Sequence, residues 1–279
     1  MSTPPPSGHF TRLYTLISGA FSPPAGRTRI AFALTMGALC HAIFSLAVLA
    51  MIGAMFFGLS LGLGAVPWPW AGLANAALIV QFPLGHSILL TARGRRWLAM
   101  VIPGSAGRTL STTTYAIIAS LQLLALFVLW TPSGIVWWRA EGWVFWTICA
   151  CYASSWLLLA KASFDAGLEV QSGGLGWLSL LQNLKPVFPD MPQSGLFRYI
   201  RQPIYVAFAL TLWTVPTWTP DQLVLAVSFT AYCLLAPILK ERRFMTIYGA
   251  RFAAYKAQVP YALPRVRTTS DNPHRRSEE

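Results

Sequence analysis

Apolar residues in this chain run in long blocks instead of alternating or marking one helical stripe. Four blocks, residues 30–61, 71–90, 114–129 and 143–160, are almost free of charge. Apolar runs of about this length read as membrane-spanning helices. A fifth apolar stretch, 205–239, is broken by Pro216 and by Pro220-Asp221. Proline ends one helix and suits the first turn of the next, so this stretch reads as a hairpin of two short helices. Past it, Lys240, Glu241, Arg242 and Arg243 are expected to open a further helix. Phe244, Tyr248, Phe252 and Tyr255 recur along it at near-helical spacing, a stripe suited to packing or to an interface. The expected fold is an all-α integral membrane protein: four transmembrane helices, a C-terminal helical hairpin and a cytoplasmic amphipathic helix.

Composition agrees, with 55% hydrophobic and 11% charged residues and a mean hydropathy of +0.52. The net charge of +12 raises the question of nucleic acid, but its distribution answers it. Arg12, Arg27 and Arg29 precede the first apolar block. Arg93, Arg95, Arg96 and Arg108 fill the second-to-third connection, and Lys161, Lys185, Arg198 and Arg201 follow the fourth block. Nine more basic residues follow Leu239, and Arg139 alone falls on the other side. This is the positive-inside pattern, which places both termini in the cytoplasm and leaves no nucleic-acid partner to invoke. The opposite connections, 62–70 and 131–142, carry Trp68, Trp70, Trp130, Trp137 and Trp138, the aromatic belt of a bilayer interface. Cys40, Cys149, Cys151 and Cys233 lie in apolar runs and read as small buried hydrophobes, not metal ligands. The first apolar run starts too far inside the chain, and is too long, for a secretory signal.

Polar chemistry is concentrated near the C-terminus. The stretch Gly195-Leu-Phe-Arg-Tyr-Ile-Arg-Gln-Pro-Ile-Tyr205 sets an Arg-rich loop at the mouth of the hairpin, and Glu241 lies beyond the hairpin. Charged groups at a membrane are costly and mark sites of function. Gly195, the Arg-x-Pro-x-Tyr core (Arg201, Pro203, Tyr205), Glu241, Tyr248-Gly249 and Val259-Pro260 resemble the cofactor half of the isoprenylcysteine carboxyl methyltransferase superfamily. Further cues resemble its bacterial methanethiol S-methyltransferase and NnrU-like branches. They are Gly85-His86-Ser87, Tyr115, Ser120, Trp130-x-Pro132, Phe164-Asp165, Gly167-Leu168, Leu212-Trp213 and Pro216-Thr217.

The resemblance implies S-adenosylmethionine as cofactor, with Phe197, Gln202, Pro203, Ile204 and Tyr205 lining its pocket and Lys240 with Glu241 closing it. It implies one methyltransferase-like domain at 30–264, its cofactor half at 182–264. That domain would lie between a partly disordered N-terminal segment, 1–29, and a disordered basic tail, 265–279. The implied reaction is methyl transfer to a small lipophilic or volatile acceptor, a thiol such as methanethiol, in a bacterial inner membrane. Arg201 is the candidate cation for holding a thiolate and Glu241 its catalytic partner; His86 and Ser87 are candidates on the acceptor side. Glu241→Ala is expected to abolish cofactor binding with the fold intact, and Gln202→His to keep it. Three positions depart from the superfamily pattern: Gln202 stands for His, Ala207 for Gly and Lys240 for the first Glu of a pair. An isoprenylcysteine carboxylate or a lipid amine is the alternative acceptor. A haem- or lipid-binding NnrU-like protein without methyl transfer, or an assembly factor, is the alternative class.

Overall fold

The computed structural model describes residues 9–264; the basic tail and the first eight residues lie outside the described residues. In chain order, α1 (His9–Gly19) precedes α2 (Arg27–Phe56) and α3 (Trp70–Leu89). Two short helices, α4 (Ala92–Val101) and α5 (Ser105–Thr109), lead to α6 (Ser111–Val128). After α7 (Gly142–Asp165) come short α8 (Leu168–Gln171) and α9 (Gly174–Leu181). The C-terminal part is α10 (Pro203–Trp213), α11 (Pro220–Tyr248) and α12 (Ala250–Gln258). Five of these, α2, α3, α6, α7 and α11, are long and apolar enough to cross a membrane. The chain is an integral membrane protein.

Helices in lipid gain little from hiding apolar surface, so contact depends on small residues that let backbones approach. Accordingly α2 buries Ala33, Gly37, Cys40, Ala47 and Ala54 and makes its main contact with α6. α9 folds back on α2, where a Cβ on Gly37 would meet the Trp177 ring. Met55, Leu126, Leu212, Leu225 and Phe229 join α2, α6, α10 and α11 in one core, while Leu49, Leu73, Trp146, Leu157 and Leu235 point outwards.

Three expectations change. The hairpin has unequal arms, since α10 has 11 residues and α11 has 29; at 1.5 Å per residue only α11 spans a bilayer. Its start follows the expected prolines: Thr219 caps α11 by accepting from the Gln222 N–H at 2.9 Å, with Pro220 in the first turn. No helix opens at Lys240. Lys, Glu and Arg are good helix formers, and nothing capable of capping precedes them, so α11 runs on until Gly249, whose φ is +50°. The aromatic stripe is thereby divided between α11 and α12. Finally, the protein is not wholly helical, because Trp138–Arg139 and Thr217–Trp218 form a two-residue antiparallel strand pair at the tryptophan-rich end.

That end is held by polar ties. The Asn75 amide donates to the Thr131 carbonyl at 2.8 Å and accepts its N–H at 3.0 Å, and Asp221 accepts from Ser133 N–H and Oγ–H at 2.9 and 2.6 Å. Asn75→Ala removes the partner of both the N–H and the carbonyl of Thr131. The expected loss is about 1–3 kcal/mol for each group left bare, read as a lower unfolding temperature in detergent. An unchanged transition would mean that water replaces the amide.

Candidate functional site

Gly195 opens a single 3-10 turn, Gly195–Arg198, at a φ of +59°. A Cβ there would run into the Asp165 carboxylate, so this left-handed, crowded position takes only glycine. Asp165, at the end of α7, accepts the Leu196 N–H at 2.8 Å and pairs with Lys161. The loop is thus fixed to α7, and Phe197 turns inwards, buried. The Tyr255 hydroxyl on α12 donates to the Phe197 carbonyl at 2.6 Å; burial pushes this phenol up to about 12. Next, the N–H groups of Arg201 and Gln202 donate to the carbonyls of Pro260 and Tyr261 at 2.9 and 3.1 Å. Pro203 then starts α10 in its first turn, where the missing N–H costs nothing.

Lys240 and Glu241 reach the same level from α11. Lys240 follows Pro220 by 20 residues, about 30 Å of helix, the thickness of a bilayer's hydrocarbon core. About one turn earlier Pro237 lies inside the helix, and the Tyr261 hydroxyl donates to the Leu234 carbonyl at 2.9 Å. The C-terminal segment is thereby stitched to α11 on one side and to the loop on the other.

The polar side chains form one line. Arg201 Nε donates to Glu241 Oε1 at 2.8 Å, and Arg201 Nη1 to the carbonyls of Val259 at 2.5 Å and Lys256 at 3.2 Å. Gln202 Nε2 donates to the same Glu241 oxygen at 2.8 Å, while Gln202 Oε1 accepts from Lys240 Nζ at 3.2 Å. Arg201, Gln202 and Glu241 are all buried. The Lys240 ammonium lies 5.5 Å from the ring centres of Phe197 and Phe244 and 5.8 Å from that of Tyr205, within cation–π range. Beside this line a cleft of about 520 Å³ is lined by Arg201, Glu241, Arg242 and Lys256 and by the apolar Leu234 and Ile238. That volume falls within the usual range for small-molecule sites.

The sequence candidates therefore divide. Phe197, Arg201, Gln202, Tyr205, Lys240 and Glu241 meet, with Pro203 beneath them and Ile204 half-buried beside it. His86 and Ser87 sit elsewhere, at the end of α3. There the Tyr115 hydroxyl lies 2.7 Å from His86 Nδ1, with the rings of Phe82 and Tyr232 around it. Tyr205 and Arg243 stand between the two groups, Tyr205 under Lys240 and Arg243 donating to the Leu90 carbonyl at 3.3 Å. His41, on α2, accepts from Trp177 Nε1 at 3.1 Å, so the two membrane histidines are engaged on different helices. Among the described residues no group of His, Cys, Asp or Glu is arranged to hold a metal.

Sequence reasoning gives no role to Lys256 or Tyr261, because a lone Lys in the last turn of a helix or a lone Tyr beyond it carries no pattern. It also leaves Asp165 without a task. Phe252 and Tyr255 do pack, against Met191, but Phe244 of the same stripe faces Lys240 as well. Gln202 carries an acceptor towards Lys240 and a donor towards Glu241. A histidinium there would set a second cation against Lys240, whereas a neutral imidazole keeps one donor and one acceptor, as the amide does.

Glu241 is more than a ligand candidate, since it neutralises a buried guanidinium. Glu241→Ala is expected to cost about 3–5 kcal/mol of stability by leaving Arg201 buried without its counter-charge. Removing both charges in Arg201→Met/Glu241→Leu should recover part of it, measured by thermal unfolding in detergent. Losses that simply add would show the two residues to be independent.

The chain is 28% identical over 231 residues to a methanethiol S-methyltransferase of a Pseudomonas species, covering 81% of this chain and 87% of that protein. It is 28% identical over 239 residues to the methanethiol S-methyltransferase of Crocosphaera subtropica, covering 84% and 92%. It is also 32% identical over 176 residues to mouse nurim, covering 60% and 66%. No family model and no solved structure matches the chain. The chain is thus similar over most of its length to methanethiol S-methyltransferases, and over a shorter stretch to nurim, in agreement with the resemblance read from the sequence.

Proposed function

We propose that the protein transfers a methyl group from S-adenosylmethionine to a small thiol such as methanethiol. The observation that carries this reading is the convergence of Phe197, Gln202 and Tyr205 with Lys240 and Glu241 at the end of one bilayer thickness of α11. It occurs in a chain similar over most of its length to methanethiol S-methyltransferases. With the positive-inside pattern, the site and both termini face the cytoplasm, in a bacterial inner membrane.

The residues present fit an adenosyl cofactor by their chemistry. Phe252 and Tyr261 line the cleft, and Phe197, Tyr205 and Phe244 would offer further ring faces once the Lys240 ammonium that now faces them moves aside. Arg201 and Lys256 offer cations at the cleft for an amino-acid carboxylate. When bound, S-adenosylmethionine supplies a methyl whose C–S bond breaks as the thiolate sulfur forms a new one, leaving S-adenosylhomocysteine, a methyl thioether and the thiol's proton. Such a displacement needs alignment and dryness more than acid–base help. Phe197 and Tyr205 would orient the adenosyl end, and the Arg201–Glu241 pair would hold the loop against α11. The apolar wall of Leu234 and Ile238 would admit the acceptor from the membrane and keep water out. The net positive rim of Arg201, Arg242 and Lys256 favours the thiolate over the thiol.

Calorimetry of S-adenosylhomocysteine with the detergent-purified protein is expected to show saturable binding, and added methanethiol with S-adenosylmethionine to yield dimethyl sulfide. Absence of binding would remove the cofactor from the reading. Binding with no thiol methylated would remove the acceptor alone.

A further inference from the structure

Two guanidiniums from different helices converge on one oxygen. Arg95 Nη1 donates to the Leu90 carbonyl at 2.9 Å, and Arg243 Nη1 to the same carbonyl at 3.3 Å. Leu90 caps the C-terminal end of α3, where the helix dipole favours a cation. That accounts for one guanidinium; a second sets like charges side by side. Neither has a carboxylate within reach, since the ion pairs of the described residues engage Arg12, Lys161, Arg201, Arg251 and Lys256. None is available locally, because the chain has no Asp or Glu before Glu141. One shared acceptor also leaves each guanidinium with further N–H donors to offer.

The helix α4 extends this charge into a surface. Thr91 caps it by accepting the Gly94 N–H at 3.1 Å, and Gly94 and Leu98 are buried. Away from that inner side, Arg93 and Trp97, and Arg96 and Met100, are neighbours four residues apart. Trp97 and Met100 are exposed, and so are Arg93, Arg95 and Arg96. Guanidiniums beside a tryptophan and a methionine, at the end of a membrane-spanning helix, suit the border between headgroups and acyl chains.

We propose that Arg95 and Arg243 clamp the phosphate of an anionic phospholipid, with Trp97 and Met100 resting against its glycerol and acyl parts. A phosphate takes charge-assisted hydrogen bonds from both guanidiniums and offsets the repulsion between them. The occupant is a lipid because the clamp stands at the end of a membrane span, α3, beside apolar side chains that inorganic phosphate would leave bare. Arg93 and Arg96 add to the charge, as in the polybasic segments that anionic leaflets attract. Arg243 follows Glu241 by two residues, so the lipid ties α3 and α4 to the helix that carries the candidate site. It does so from outside, since neither Arg95 nor Arg243 lines the cleft, and the proposal stands whether or not the cleft binds an adenosyl cofactor.

Native mass spectrometry of the delipidated full chain in a neutral detergent tests this, with dioctanoyl phosphatidylglycerol and zwitterionic dioctanoyl phosphatidylcholine as probes. The wild-type protein is expected to bind the anionic lipid at least about tenfold more tightly than the zwitterionic one. Arg95→Gln and Arg243→Gln should each weaken phosphatidylglycerol about fivefold and phosphatidylcholine less, while Arg243→Lys keeps most of the affinity. Arg95 is exposed, so its variant carries the test should Arg243→Gln not fold. Equal affinity for the two lipids, or an equal loss in Arg139→Gln on the opposite connection, would overturn the site. Displacement of the lipid by inorganic phosphate, but not by chloride at the same ionic strength, would overturn the lipid assignment in favour of a free anion.

Discussion

The hydrogen-bonded ion pair between Arg201 and Glu241 joins parts of the chain that nothing else could hold in register. Arg201 belongs to a loop anchored on α7, Glu241 to the far end of the longest C-terminal helix, and the same guanidinium ties down the carbonyls of Lys256 and Val259. Three segments therefore meet on one cation. A pair so far out of water stabilises little against two apolar residues, but losing one partner is costly. Its value lies in specificity of placement: it fixes where Gln202 and Lys240 stand, and with them the aromatic faces.

Placement within the membrane follows from length. α11 delivers its polar residues one hydrocarbon thickness beyond Pro220, while short α10 brings the loop back to meet them from α7's side. Just before that level the Tyr261 hydroxyl ties the C-terminal segment to the Leu234 carbonyl of α11. The outer faces of α3, α7 and α11 carry exposed Leu, Val and Trp, as a surface in lipid should. The polar cluster and the cleft lie about one hydrocarbon thickness from Pro220 along α11, which in the proposed function is where a lipophilic acceptor and a polar cofactor would both arrive.

Much of this was legible in the sequence. The long apolar blocks mark four of the five helices long enough to cross a membrane, because span length is set by the bilayer. Pro216 and Pro220 marked the turn between α10 and α11 for steric reasons. The charged run at Lys240 does not begin a helix, because caps and breakers, not charge, set helix ends, and the next breaker is Gly249. Gln202 and Lys240 looked like two separate departures from a pattern. In space they are one: an amide with a donor and an acceptor suits a neighbouring carboxylate and ammonium, as a two-donor imidazolium would suit two carboxylates. Such pairing spans 38 residues of sequence and carries no local mark. Asp165, Lys256 and Tyr261 were hidden for the same reason.

The central claim is that the loop after Gly195 and the Lys240–Glu241 turn of α11 are two walls of one adenosyl-binding pocket. Ultraviolet crosslinking of methyl-labelled S-adenosylmethionine to the purified protein, followed by peptide mapping, tests it most directly. The account predicts label on the peptides that carry Phe197, Tyr205 or Phe244, chased away by excess S-adenosylhomocysteine. Label confined to the His86–Tyr115 cluster, or none that S-adenosylhomocysteine displaces, would contradict it.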